Sequence, residues 1–82
     1  MEYPIIISAK AIDKCTLLVE FSNNEYRKYN VTNLLKKEMF SPLKNPAFFK
    51  NVRIERDGFA LIWNDDIDIS EYGIWTNGTQ VQ

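Results

Sequence analysis

Polar and apolar side chains alternate along several stretches of this chain, and that alternation predicts strands. In residues 5–12 the apolar positions Ile5, Ile7, Ala9 and Ala11 recur with a period of two, with Ser8 and Lys10 on the opposite face. Cys15, Leu17, Val19 and Phe21 repeat the pattern more clearly, against Thr16, Glu20 and Ser22, and Leu18 breaks the alternation. Asn23 and Asn24 suit the centre of a tight turn, because Asn tolerates positive φ, and residues 25–29 then return antiparallel. That register sets Phe21 opposite Tyr26 and Glu20 opposite Arg27. Residues 52–56 and 59–63 flank Asp57 and Gly58, a strong turn signal, and a two-residue loop there pairs Ile54 with Leu61 and Val52 with Trp63.

Helical signals lie between the hairpins. Asn30 or Thr32 can cap the run 31–37, which turns Leu34 and Leu35 toward the sheet and ends on Lys36 and Lys37. Ser41 and Pro42 interrupt it. Asn45 followed by Pro46 reads as an N-cap and first helical position, opening one turn over Ala47, Phe48, Phe49 and Lys50. Asn64, Asp65 and Asp66 read as another turn, residues 67–69 as a short strand, and residues 70–73 as a bend. Residues 76–82 read as a frayed tail. The sum is an α+β fold: a small antiparallel sheet from two β-hairpins with one or two short helices between them, in a single domain over residues 1–75. Whether the hairpins share one sheet stays open at this level.

Composition supports that picture. The chain has 82 residues, 45% hydrophobic and 13% aromatic, enough for one core without disulfides or metal. Ten basic and eleven acidic side chains give a formal charge of -1, which removes the bulk electrostatic argument for a nucleic-acid or membrane-surface protein. The longest apolar runs, residues 5–7 and 59–63, fall far short of a membrane span or a signal peptide's apolar region. The single Cys15 fits the reducing cytoplasm.

Candidate chemistry is sparse. With no histidine, Ser-His-Asp and Cys-His systems and His-ligated zinc are excluded. Cys15 lies on an apolar strand face, where a buried thiol stays inert. Asp65, Asp66, Asp68 and Glu71 form a dense carboxylate group, but from Asp66 an EF-hand loop needs glycine where Glu71 stands, so a solvated turn is the simpler reading. The expectation is therefore a non-enzymatic domain with no cofactor and no metal site. Lys50, Arg53 and Arg56 recur beside Phe48 and Phe49 and constitute a candidate nucleic-acid surface, aided by Lys36 and Lys37. Arg53 and Arg56 nevertheless have opposite strand parity. Tyr72, Ile74 and Trp75 follow the last clear strand and either cap the core or form a surface for another protein or a second copy.

Ordered spacing adds a family resemblance. The first half carries Leu17, Leu18, Val19, Glu20 and Phe21, then Tyr29, Asn30 and Val31, then Leu34 and Leu35. The second carries Phe40, Ser41, Pro42, Leu43, Asn45, Pro46, Phe49, Val52, Arg53, Ile54, Ile62, Trp63, Asn64, Ile67, Asp68 and Ile69. Together they resemble the bacterial family called domain of unknown function 2442. The resemblance implies an α+β fold similar to the N-terminal domain of larger members, in which a helix-turn-helix domain can follow; the 82 residues end before one. Asn24 stands where the family usually has a turn glycine, Asn30 where it often has aspartate, and Ser70 and Glu71 where a proline is common. The family offers no catalytic residues to carry over. Trp63 and Asp68 look like its signature positions, with packing and a turn-fixing hydrogen bond as their structural roles. Likeness to components of toxin-antitoxin-like gene pairs implies a regulatory or antitoxin-like protein-binding role, an inference by association. Binding of nucleic acid through Lys50, Arg53 and Arg56 is the alternative.

Overall fold

The computed structural model describes residues 4–81. Residues 1–3 and 82, the ends of the expected domain and tail, lie outside them. Among the described residues, seven strands make two antiparallel sheets. The first contains β1 (Ile6–Ala11), β2 (Thr16–Phe21), β3 (Tyr26–Asn30) and β7 (Thr79–Val81) in the order β1-β2-β3-β7. The second contains β4 (Arg53–Ile54), β5 (Ala60–Asn64) and β6 (Ile67–Ser70) in the order β4-β5-β6. The two hairpins therefore belong to different sheets. Between them run two 3-10 segments, Leu34–Lys36 and Glu38–Lys44, and the helix α1 (Pro46–Lys50); α2 (Glu71–Asn77) joins β6 to β7.

Alternation along β1 is displaced by one residue. Ile6 pairs with Phe21 and Ser8 with Glu20, so Ile7 is an extra residue in a bulge. The bulge reverses parity. Ile6 is buried (2% exposed) on the same face as Ala9 and Ala11, and Ile7, expected inside, is 49% exposed.

The β2–β3 register also differs from the expected one. Glu20 pairs with Tyr26 and Val19 with Arg27, because the loop holds residues 22–24 rather than two residues. Asn24 N–H donates to Phe21 O (3.0 Å), and Phe21 N–H donates to Glu25 O (2.9 Å). Only Asn24 of this turn takes positive φ, 69°, as in a type I turn closed by a left-handed residue. The shift carries Arg27 to the inner face, where it is 8% exposed. The second hairpin keeps the expected register, Ile54 opposite Leu61 and Arg53 opposite Ile62, but its ladder stops short of Val52 and Trp63. Gly58, at φ 79°, closes the loop; a Cβ there would lie 2.8 Å from Ile6 O, the strand against which the loop rests.

Asn45 caps α1 as the sequence predicts: its Oδ1 accepts the N–H groups of Ala47 and Phe48 at 2.9 and 3.4 Å. Pro42 does not end the preceding helical segment. It lies inside the second 3-10 segment, which buries Phe40 and Leu43. The bend expected at residues 70–73 is the start of α2, with Ser70 Oγ accepting Gly73 N–H at 3.1 Å. Residues 76–81, expected to fray, complete α2 and form β7, which pairs with β3 from Tyr26–Val81 to Lys28–Thr79. The core joins Leu17, Val19 and Phe21 of one sheet to Leu61, Trp63, Ile67 and Ile69 of the other through Phe40, Leu43, Phe49 and Ile74. Full burial of such side chains contributes about 1.5–3 kcal/mol each.

Candidate functional site

The inner face of the four-stranded sheet is covered by this core, and among the described residues its outer face is open. Strand alternation and register fix what it presents. One row runs Ser8, Glu20, Tyr26 and Val81; the next runs Lys10, Leu18, Lys28 and Thr79. Ser8, Lys10, Tyr26, Lys28 and Thr79 are exposed, and Leu18, Glu20 and Val81 are half-buried by their neighbours. Ser8 Oγ donates to Glu20 Oε1 at 3.1 Å. Among the described residues neither Lys10 nor Lys28 has a carboxylate within ion-pair distance. A shallow depression lined by Ser8, Lys10, Leu18, Glu20 and Tyr26 centres on this face. Its signal in the sequence was Leu18, the residue that breaks the β2 alternation. The break alone does not say which face Leu18 takes.

The aromatic segment proposed from sequence does not form one surface. Tyr72 is 52% exposed, but Ile74 is fully buried in the core. Trp75 packs inward: its ring meets Phe21 edge-on at 5.2 Å, and the Arg27 guanidinium lies 3.8 Å from its centroid. Arg27 also pairs with Glu25 at 3.1 Å, and Glu25 accepts from Gln80 Nε2 at 3.1 Å. These three residues were expected to be irregular because α2 and its Ser70 cap went unread. An amphipathic helix of seven residues, about two turns, leaves too short a periodic signal.

Lys50, Arg53 and Arg56 are all exposed. Lys50 and Arg53 share an open depression with Asn51, Val52 and Trp63, and Arg56 lies outside it on the β4–β5 loop. Lys36 ends the first 3-10 segment, and Lys37 follows it; both are exposed.

Trp63 and Asp68 part company. Trp63 is a core residue, stacked on Phe49 at 6.2 Å between centroids, with its Nε1–H donating to Phe49 O at 2.9 Å. Asp68 is exposed on β6, opposite Ile62. The turn before it is fixed by Asn64, whose Oδ1 accepts from Asp66 N–H and Ile67 N–H at 2.8 and 2.9 Å. Among the described residues no three of His, Cys, Asp or Glu are grouped to hold a metal ion.

Among the described residues, Asp13 and Tyr29 have displaced pKa values. Asp13 accepts the Cys15 N–H at 2.9 Å, a bond that favours the carboxylate and lowers its pKa. Burial raises the pKa of the Tyr29 phenol. Cys15 Sγ is half-buried, with Asn30 Nδ2 at 3.6 Å.

No described helix is long and apolar enough to cross a membrane. No curated protein and no solved structure matches the chain. The sequence matches the family described as Protein of unknown function (DUF2442) over residues 6–80. That match runs from the first residue of β1 into β7 and takes in both sheets, so the chain belongs to the DUF2442 family.

Proposed function

We propose that this domain acts by binding another protein, without catalysis, and that the open face of the four-stranded sheet is its contact surface. The observation behind this reading is the juxtaposition on that face of half-buried Leu18, between Lys10 and Lys28, with exposed Tyr26 in the adjoining row. An antiparallel sheet tolerates one solvated face, but such a face normally reads polar, and an aliphatic and an aromatic residue at its middle fit a recognition surface better. This face replaces the Tyr72, Ile74 and Trp75 surface, two members of which pack inward. A regulatory or antitoxin-like role would be one form of such binding.

The test uses the full tagged chain and its Leu18→Glu variant as baits in native lysate, with and without nuclease. A stoichiometric protein partner that survives nuclease and is lost with Leu18→Glu supports the reading; retention by the variant removes this face. A mass that rises with concentration in light scattering, and does so only with Leu18 intact, would identify the partner as a second copy.

The second reading is nucleic-acid binding at the depression shared by Lys50 and Arg53. It predicts nuclease-sensitive recovery and an affinity that falls steeply with salt, with a shallower slope after Arg53→Ala. A flat salt response would end it.

A further inference from the structure

The open face also carries a charge pattern that narrows the class of partner. Lys10, Leu18 and Lys28 are consecutive partners across β1, β2 and β3, so the two lysines leave the sheet on either side of the leucine. Their backbone positions are two strand spacings apart, about 10 Å. Among the described residues both ammonium groups lack an acidic partner. Among the described residues, the carboxylate nearest the middle of the face is that of Glu20, which accepts the Ser8 hydroxyl, keeps its negative charge and lies beyond ion-pair distance of both lysines. The face therefore offers an apolar centre flanked by two lysines that make no ion pair within the described residues, with the single Glu20 carboxylate in the adjoining row leaving a net positive balance.

We infer that the partner presents an acidic segment: an apolar side chain that seats on Leu18 and Tyr26, with a carboxylate on each side, about 10 Å apart, that meets Lys10 and Lys28. This rests on the proposed protein-binding role of the same face and specifies its chemistry. Leu18 and Tyr26 supply the contact area, and the lysines supply selectivity and faster encounter, since exposed charges at an interface rim act chiefly through those two effects. A basic or uncharged apolar segment leaves the two ammonium groups uncompensated and is discriminated against.

Selection from a displayed library of random peptides against the immobilised full chain tests this, with Lys10→Glu/Lys28→Glu and Leu18→Glu as companion baits. All three substitutions lie on the solvent side of the sheet, and circular dichroism confirms that each bait is folded. The wild-type chain is expected to enrich peptides in which Asp or Glu brackets an apolar residue. Their affinity should fall at least about tenfold on the double reversal and weaken with rising salt. The double reversal should in turn enrich Lys and Arg at the bracketing positions. Enriched peptides without acidic residues, lost with Leu18→Glu, would overturn the acidic partner and leave the open-face reading standing. Peptides that bind Leu18→Glu as well as wild type would overturn both, and failure to enrich any peptide would overturn the acidic partner.

Discussion

The carboxamide of Asn64 takes two backbone N–H groups at the β5–β6 turn, and Asp68, the second residue of β6, is exposed to solvent. Asn64→Ala should therefore cost about 1 kcal/mol, the usual penalty for losing a side-chain acceptor of backbone donors, and Asp68→Ala should stay within about 0.5 kcal/mol. Denaturant unfolding of both variants checks the contrast, and the reverse order would return the turn to Asp68. Tyr29 supplies a pH dependence. Burial raises its folded pKa above the ordinary value of 10.0, so the unfolded chain loses this proton first as pH rises. Its contribution to stability is complete below pH 10.0 and is lost as pH climbs above it. Tyr29→Phe should flatten that alkaline loss; an unchanged profile would mean that the phenol does not titrate with folding. At this scale the sequence was legible wherever one side chain decides the outcome locally. Asn45 before Pro46 is an example, because capping depends on residues two and three positions away.

Registers were less legible than elements. β1 and β2 both read as strands, yet one bulged residue at Ile7 and one extra residue in the β2–β3 loop moved side chains to opposite faces. A period-two pattern has no means of signalling an insertion of one, and the same slip exchanges every inward and outward position after it. The consequence is Arg27, which read as an outward partner of Glu20 and instead faces inward under Trp75. Docking of α2 and β7 on β3 depends on that placement. In a double-mutant cycle of Arg27→Met and Trp75→Leu the coupling should be about 1 kcal/mol, the scale of a partly desolvated cation–π contact. Trp75→Leu alone should cost more than Arg27→Met, since it also uncovers Phe21. A coupling near zero in thermal or denaturant unfolding would show that the two residues stabilise the docking independently. The α2–β7 segment was invisible in sequence because each element is short and held by tertiary contact.

Taken whole, the molecule is two small sheets that share one core, with the helical connector and α2 filling the space between them. The α+β class and the second hairpin's register followed from local patterning. The division into two sheets did not, because both arrangements satisfy the same alternation. It is this division that leaves one face of the larger sheet without a covering element among the described residues. Leu18 on that face is half-buried outside the core, so Leu18→Glu should cost about 1 kcal/mol, leaving the fold intact, while removing the proposed contact surface. The most direct test of the account is to map backbone amide shifts of the labelled chain by NMR as a captured partner is added. The account predicts changes concentrated at Ser8, Lys10, Leu18, Glu20, Tyr26 and Lys28. Changes confined to Lys50, Arg53 and the rim of Trp63, with the open face silent, would contradict it.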